Sequence, residues 1–335
     1  LHRLKNNKKY KTFYDHFYKC NDDKRYLYEL IYLNSFISLD NVQHAESSDI
    51  LYKNYTNRYI DCHFYYPLKN NTDLEEININ LVNKIFLFMS SLFEKPNKKL
   101  KLIVFYGNQK KIIDYNNNIL CSDNVNSGLS DKSGLIMIWR KEEFYKVFIH
   151  ELIHFFGIDF YVLDDLYDKI NRIFQSKYKI IGIDRINESY TEALAILLHS
   201  ILYAIEKNVQ FEKIIKNEIM FSHIQIAKIL NYYGSNSLSD LEQLNFKQNT
   251  SVFSYYIIKT MLMANYQKLF SFWITNGFEL LNKNENKYEN LYGEMTNIND
   301  IDVNTINFFI NYFKNNNSKK NSFIFKTMRM SCYSF

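Results

Sequence analysis

The sequence predicts an α+β fold: a small mixed sheet with one chemically loaded helix, followed by a mostly helical C-terminal half. Three observations predict it. Segments with strand-like alternation all fall before about residue 140, segments with helical spacing dominate after Gly157, and only 8 Gly and 2 Pro interrupt 335 residues. Scarcity of the two strongest punctuators favours long helices, and strands first, helices afterwards is the order of an α+β chain.

The length fits two subdomains or one bilobal unit. Residues 1–45 form a basic and aromatic N-terminal segment, with a helix expected near Lys24–Phe36. Residues 46–157 form an N-terminal subdomain. Within it, Arg58–Tyr66 alternates as a strand, and Asn80–Phe93 places Leu81, Ile85, Phe86, Met89 and Phe93 at helical spacing. Lys101–Tyr106 and Lys110–Asp114 read as two strands meeting in a hairpin at Gly107-Asn108. Asn116–Lys132 is polar and loop-like, and Leu135–Arg140 is a further strand. A helix over Lys141–Phe156 closes the subdomain, with Gly157 as its natural C′ residue. Residues 158–335 form the helical subdomain, with helices near Ile186–Glu206, Phe211–Tyr233, Val252–Trp273 and Asp302–Lys314, and a loop or tail over residues 314–321.

The helix ending at Gly157 carries His150-Glu151-Leu152-Ile153-His154. At about 100° per residue, His154 lies about 40° and Glu151 about 100° from His150, while Phe144, Phe148, Ile149, Leu152, Ile153 and Phe155 fill the opposite side. One face is apolar and buries the helix. The other presents two imidazoles one turn apart with a carboxylate beside them. Two His at i and i+4 reach one tetrahedral zinc, and the adjacent Glu then holds and deprotonates a water on it. Chance supplies roughly 0.01 copies of this pattern in a chain with 8 His and 18 Glu.

Catalytic zinc takes three protein ligands and keeps one position open. Downstream, Asn187-Glu188-Ser189-Tyr190-Thr191-Glu192-Ala193 opens a helix on which Glu188 and Glu192 share a face. Ala195 and His199 continue that face, and the small Ala195 would let this helix approach the motif helix closely. One carboxylate can bind the metal, and the other can accept an imidazole N–H and fix the ring. Asp159 is a third acid near the motif. In the metzincin spacing the ligand would fall at Phe160, so Asp159 is one residue early.

His150–His154 followed by Asn187-Glu188-xxx-Glu192 resembles the gluzincin class of zincin metallopeptidases. The resemblance covers these two motifs. It implies a zincin-like fold, with Zn2+ held by His150, His154 and Glu188, Glu151 as general base, and Glu192 as the partner of a ligand histidine. Asp159 is then expected to be dispensable for metal. The segment ahead of the motif resembles the edge strand that clamps an extended peptide in such enzymes, so Leu135–Trp139 would supply backbone hydrogen bonds. An oxyanion-stabilising Tyr or His is also implied. Tyr190, His199, His223, Tyr255 and Tyr256 all qualify, with His199 better suited to the core. The aromatic, Asn-rich background is similar to that of uncharacterised HExxH proteins of large DNA viruses.

Composition narrows the partners. The net charge of +5 concentrates in Arg3, Lys5, Lys8, Lys9 and Lys11, a solvated face rather than a nucleic-acid surface. No uncharged apolar run reaches the length of a membrane span. Cys20, Cys62, Cys121 and Cys332 are scattered without CxxC spacing, which, with no signal peptide visible, favours an intracellular setting. The expected activity is hydrolysis of peptide bonds in a peptide or protein substrate. The alternative is a catalytically inactive zincin-like protein with a structural or interaction role, against which the intact Glu151 argues.

Overall fold

The computed structural model describes residues 49–68, 76–93, 98–131, 133–159, 164–276 and 291–335. The N-terminal segment and its expected helix at Lys24–Phe36 lie outside the described residues.

Strand β1 (Asp49–Thr56) pairs antiparallel with β2 (Ile60–Leu68). The turn between them is tied by Asn57, whose Oδ1 accepts the backbone N–H groups of Tyr59 and Ile60 at 2.8 and 2.9 Å, a local Asx turn. Helix α1 (Ile79–Leu92) then crosses to β3 (Leu100–Phe105), which runs parallel to β2. Asn78 caps α1 by accepting from Asn80 N and Leu81 N. After the short helix α2 (Ser122–Val125) come β4 (Gly128–Ser130) and β5 (Leu135–Ile138). The five-stranded sheet has the order β1-β2-β3-β5-β4, with β2, β3 and β5 parallel and β1 and β4 antiparallel at the edges.

Two expectations are corrected here. Leu135–Trp139 does not lie at the edge, because β5 sits between β3 and β4. The edge strand is β4, inside the segment whose polar composition reads as loop. Nor do residues 101–106 and 110–114 form a hairpin. Residues 110–114 turn away and meet the C-terminal segment instead: Ile113 N–H donates to Lys326 O and Met328 N–H to Lys111 O, both at 2.8 Å.

The motif helix α3 (Phe144–Phe155) packs on β4 and β5. Helix α4 (Asp164–Tyr178) follows, then β6 (Ile180–Gly182) and the long helix α5 (Asn187–Lys207), which packs against α3. Helix α6 (Phe211–Tyr232) leads to β7 (Phe246–Gln248), the parallel partner of β6. The single helix expected over Val252–Trp273 is divided. Residues Ser254–Ile258 form a π turn that runs into α7 (Lys259–Ala264), and α8 (Tyr266–Asn276) starts anew. At the break, the Asn265 amide donates to Met261 O, Met295 O and Asp300 Oδ2. Helices α9 (Val303–Asn315) and α10 (Phe323–Lys326) complete the chain.

Leu102 and Val104 from the sheet, Phe148 and Leu152 from α3, Leu194 and Leu197 from α5 and Ile257 from the π turn are all fully buried in one apolar core. Among the described residues, no helix is long and apolar enough to cross a membrane.

Candidate metal centre

Both ends of α3 depart from ordinary helical backbone. Its N-cap, Glu143, is left-handed at φ 59°, an unfavourable region for a residue with a Cβ. Buried contacts over-determine it. Glu143 pairs with Lys111 at 2.9 Å, and its Oε1 accepts the N–H groups of Met330 and Ser331 at 2.9 and 2.6 Å. At the other end, Gly157 has φ 70°. Gly157 N–H reaches His154 O at 2.9 Å and Ile158 N–H reaches Ile153 O at 3.2 Å, the paired bonds of a Schellman stop. This turn folds Asp159 back beneath the helix it has just left.

The two motif histidines present Nε2 to each other at 3.2 Å. Glu188, in the first turn of α5, faces both: its Oε2 lies 3.3 Å from His150 Nε2 and 3.6 Å from His154 Nε2. The three residues form a group able to hold a metal ion. Each histidine is held from behind at Nδ1. Glu192 Oε2 is 2.8 Å from His150 Nδ1, and Asp159 Oδ2 is 2.6 Å from His154 Nδ1. Asp159 is itself oriented by Thr191 Oγ1 at 3.0 Å and Asn187 Nδ2 at 3.3 Å. Carboxylates on Nδ1 leave Nε2 of each ring as the donor for a cation.

Sequence reasoning weighed Asp159 only as a rival ligand and expected it to be dispensable. The structure places its carboxylate against His154 Nδ1, as it places that of Glu192 against His150 Nδ1. The left-handed glycine two residues earlier was the available signal, since a chain reversing there must pass under the last turn. Lys146 was also overlooked. It lies one turn before His150 on the same face of α3, and its Nζ contacts Glu192 Oε1 at 2.6 Å.

Electrostatics follow from burial and pairing. Burial alone would raise the Glu188 carboxyl, but His154 and His150 outweigh it and hold its pKa well below the ordinary range. The same holds for Glu192, where burial is outweighed by Lys146 and His150. Burial would lower His154, yet Asp159 and Glu188 raise it well above its usual value. Glu151 is raised, first by burial and also by Glu188, against the lowering effect of the two histidines.

Of the five oxyanion candidates, Tyr255 comes to the centre. Its hydroxyl lies 3.2 Å from Glu188 Oε2 and its ring 6.1 Å from that of His150. Burial, then Glu188, raise its pKa far above the normal phenol value, so it stays a hydrogen-bond donor. The π turn directs Tyr255 here while Tyr256 donates to Met328 O on the other side. Tyr190 accepts from Trp273 Nε1 at 2.9 Å in the core. His199 is buried against Phe335, ring centroids 5.1 Å apart. His223 is buried in α6.

A cleft of about 480 Å³ opens over His150, Glu151, His154 and Glu188, lined also by Leu129, Met137, Ile183, Arg185 and Tyr255. β4 forms one wall. Trp139 N–H donates to Ser127 O at 2.9 Å and Asp131 N–H to Leu135 O at 3.0 Å. By the alternation of an antiparallel ladder, the backbone N–H and C=O of Gly128 and Ser130 therefore face away from β5.

The chain is 30% identical over 183 residues to an uncharacterised protein of Acanthamoeba polyphaga mimivirus. The match covers 49% of this chain and 45% of the viral protein, so the aligned part is less than half of that relative. No family model matches the chain, and no solved structure matches it.

Proposed function

We propose that this chain is a zinc-dependent metallopeptidase of the gluzincin type, with Glu151 as general base and a peptide or protein as substrate. The observation that carries the reading is the triangle of His150 Nε2, His154 Nε2 and Glu188 Oε2, whose edges are 3.2, 3.3 and 3.6 Å. A tetrahedral zinc at about 2.0–2.1 Å from N and O donors requires edges of about 3.3–3.4 Å between its ligands. Two neutral nitrogens and one carboxylate suit zinc, and three protein ligands leave the open position that catalysis needs.

When bound, zinc would supply Lewis acidity, acidifying water and polarising a substrate carbonyl. The protein's own groups divide the remaining work. Glu151 takes a proton from the attacking water and returns it to the departing amine, so that OH is added to the carbonyl carbon and H to the nitrogen as the C–N bond breaks. Burial raises the Glu151 carboxyl above the usual carboxylate range, the direction that favours holding a proton between its uptake from water and its release to the amine. Tyr255 donates to the oxygen that gains charge. The outward backbone groups of Gly128 and Ser130 can pair with an extended peptide, adding a strand to the sheet edge.

The test is metal analysis with proteolysis. Protein purified without chelators should contain about one zinc per chain and degrade unfolded casein. Glu151→Gln should keep the zinc and lose about 10²–10⁴-fold in rate. Absence of zinc would remove the reading, and hydrolysis that survives Glu151→Gln would show that another group is the base. Zinc bound without any hydrolysis of casein or of a mixed peptide library by the wild type would favour the structural alternative.

A further inference from the structure

We propose that Lys146 is a positioning residue for the metal centre, orienting His150 through Glu192 so that the three donor atoms converge before an ion arrives. This rests on the metal-binding reading of His150, His154 and Glu188, and adds a further support behind the Glu192 carboxylate. Glu192 stands between two side chains of α3 that lie one turn apart. Its Oε1 meets Lys146 Nζ at 2.6 Å and its Oε2 meets His150 Nδ1 at 2.8 Å. Both oxygens are engaged, so the plane of the carboxylate is fixed. A carboxylate with one partner would turn about its terminal torsion, which is broad and soft, and the imidazole would follow it.

Burial makes the arrangement exacting. Lys146 is 2% exposed and Glu192 1%, so the pair is shielded from bulk solvent. Lys146 Nζ also lies 3.8 Å from Met330 Sδ in the C-terminal segment. A buried ion pair is weak support for stability, since apolar replacements of both partners are often neutral or stabilising. The consequence of this pair therefore falls on the geometry of His150, the third member of the row.

The experiment measures zinc affinity by chelator competition, and the visible spectrum of the Co2+-loaded protein, for Lys146→Met, Lys146→Arg, Glu192→Gln and the double variant Lys146→Met/Glu192→Gln. Metal-free thermal melts check that each variant folds. Lys146→Met should bind zinc about 10–100-fold more weakly, the range for losing an outer support of a ligand, and shift the cobalt bands. Lys146→Arg, which keeps the charge and reach, should recover much of the loss. If Lys146 acts through Glu192, the double variant should bind no more weakly than Glu192→Gln alone. That comparison stands even if Lys146→Met fails to fold, because the double variant leaves no unpaired buried charge. Wild-type affinity in Lys146→Met, or losses that add in full in the double variant, would overturn the proposal. A wild-type chain that takes up no zinc would instead remove the metal reading beneath it.

Discussion

Each imidazole of the candidate centre is held by an acid from a different part of the chain: His150 by Glu192 on α5, His154 by Asp159 just beyond α3. Glu188 differs from both because it faces the Nε2 side. Substitutions should rank accordingly. Glu188→Ala removes a donor atom and should release zinc most readily. Glu192→Ala and Asp159→Ala should each weaken zinc by about 10–100-fold while leaving the three donors in place. Competition titration against a chelator of known affinity reads all three. The sequence alone leads to the opposite expectation for Asp159, so wild-type affinity in Asp159→Ala would count against the role that its 2.6 Å contact with His154 Nδ1 implies.

At the level of elements, the site depends on how closely β4 approaches α3. A Cβ placed on Gly128 would lie 2.8 Å from Glu151 Oε1 and 2.9 Å from Val147 Cγ1. Glycine lets the strand edge and the general base share this space. Gly128→Ala should push Glu151 aside and lower kcat by about tenfold or more, because small misplacements of a catalytic group are costly, with zinc content unchanged. Equal kcat in Gly128→Ala would show that Glu151 has room to spare. What was legible in the sequence tracks the strength of local signals. The motif helix and α5 stand out because a buried apolar face sets a helical period and chemistry marks the rest. β4 has three residues, Gly128-Leu129-Ser130, with no β-branched side chain and no room for alternation. Its strand character comes from pairing with β5. The segment 110–114, Lys-Lys-Ile-Ile-Asp, alternates in burial but not in sequence, and its partner is the chain 215 residues further on, with Ile112 bridging to Thr327. No local rule reveals that. The break at Asn265 within the expected helix Val252–Trp273 is equally nonlocal, since its amide is bound by Met295 and Asp300.

At the scale of the molecule, one apolar core runs from the sheet through α3 and α5 to the C-terminal segment, and it encloses ionisable groups that cannot adopt their solution charges. His199 is the clearest case. It is 1% exposed, and its Nδ1 has no hydrogen-bond partner among the described residues. Burial, reinforced by Lys146, pushes its pKa from 6.5 down to about 3. Native His199 thus stays neutral where the unfolded chain takes up a proton. Its contribution to stability is complete above about pH 6.5 and is lost as pH falls toward 3, by about 2 kcal/mol at pH 5. His150 and His154, with raised pKa values, act in the opposite sense in the metal-free protein. The difference between wild type and a variant, rather than the wild-type slope, therefore isolates His199. His199→Met keeps an apolar side chain of similar volume and cannot be protonated. Urea midpoints of the metal-free proteins should fall more steeply for wild type than for His199→Met between pH 7.5 and pH 5. Parallel losses in the two proteins would mean that His199 accepts a proton in the fold and that the core around Phe335 opens to water.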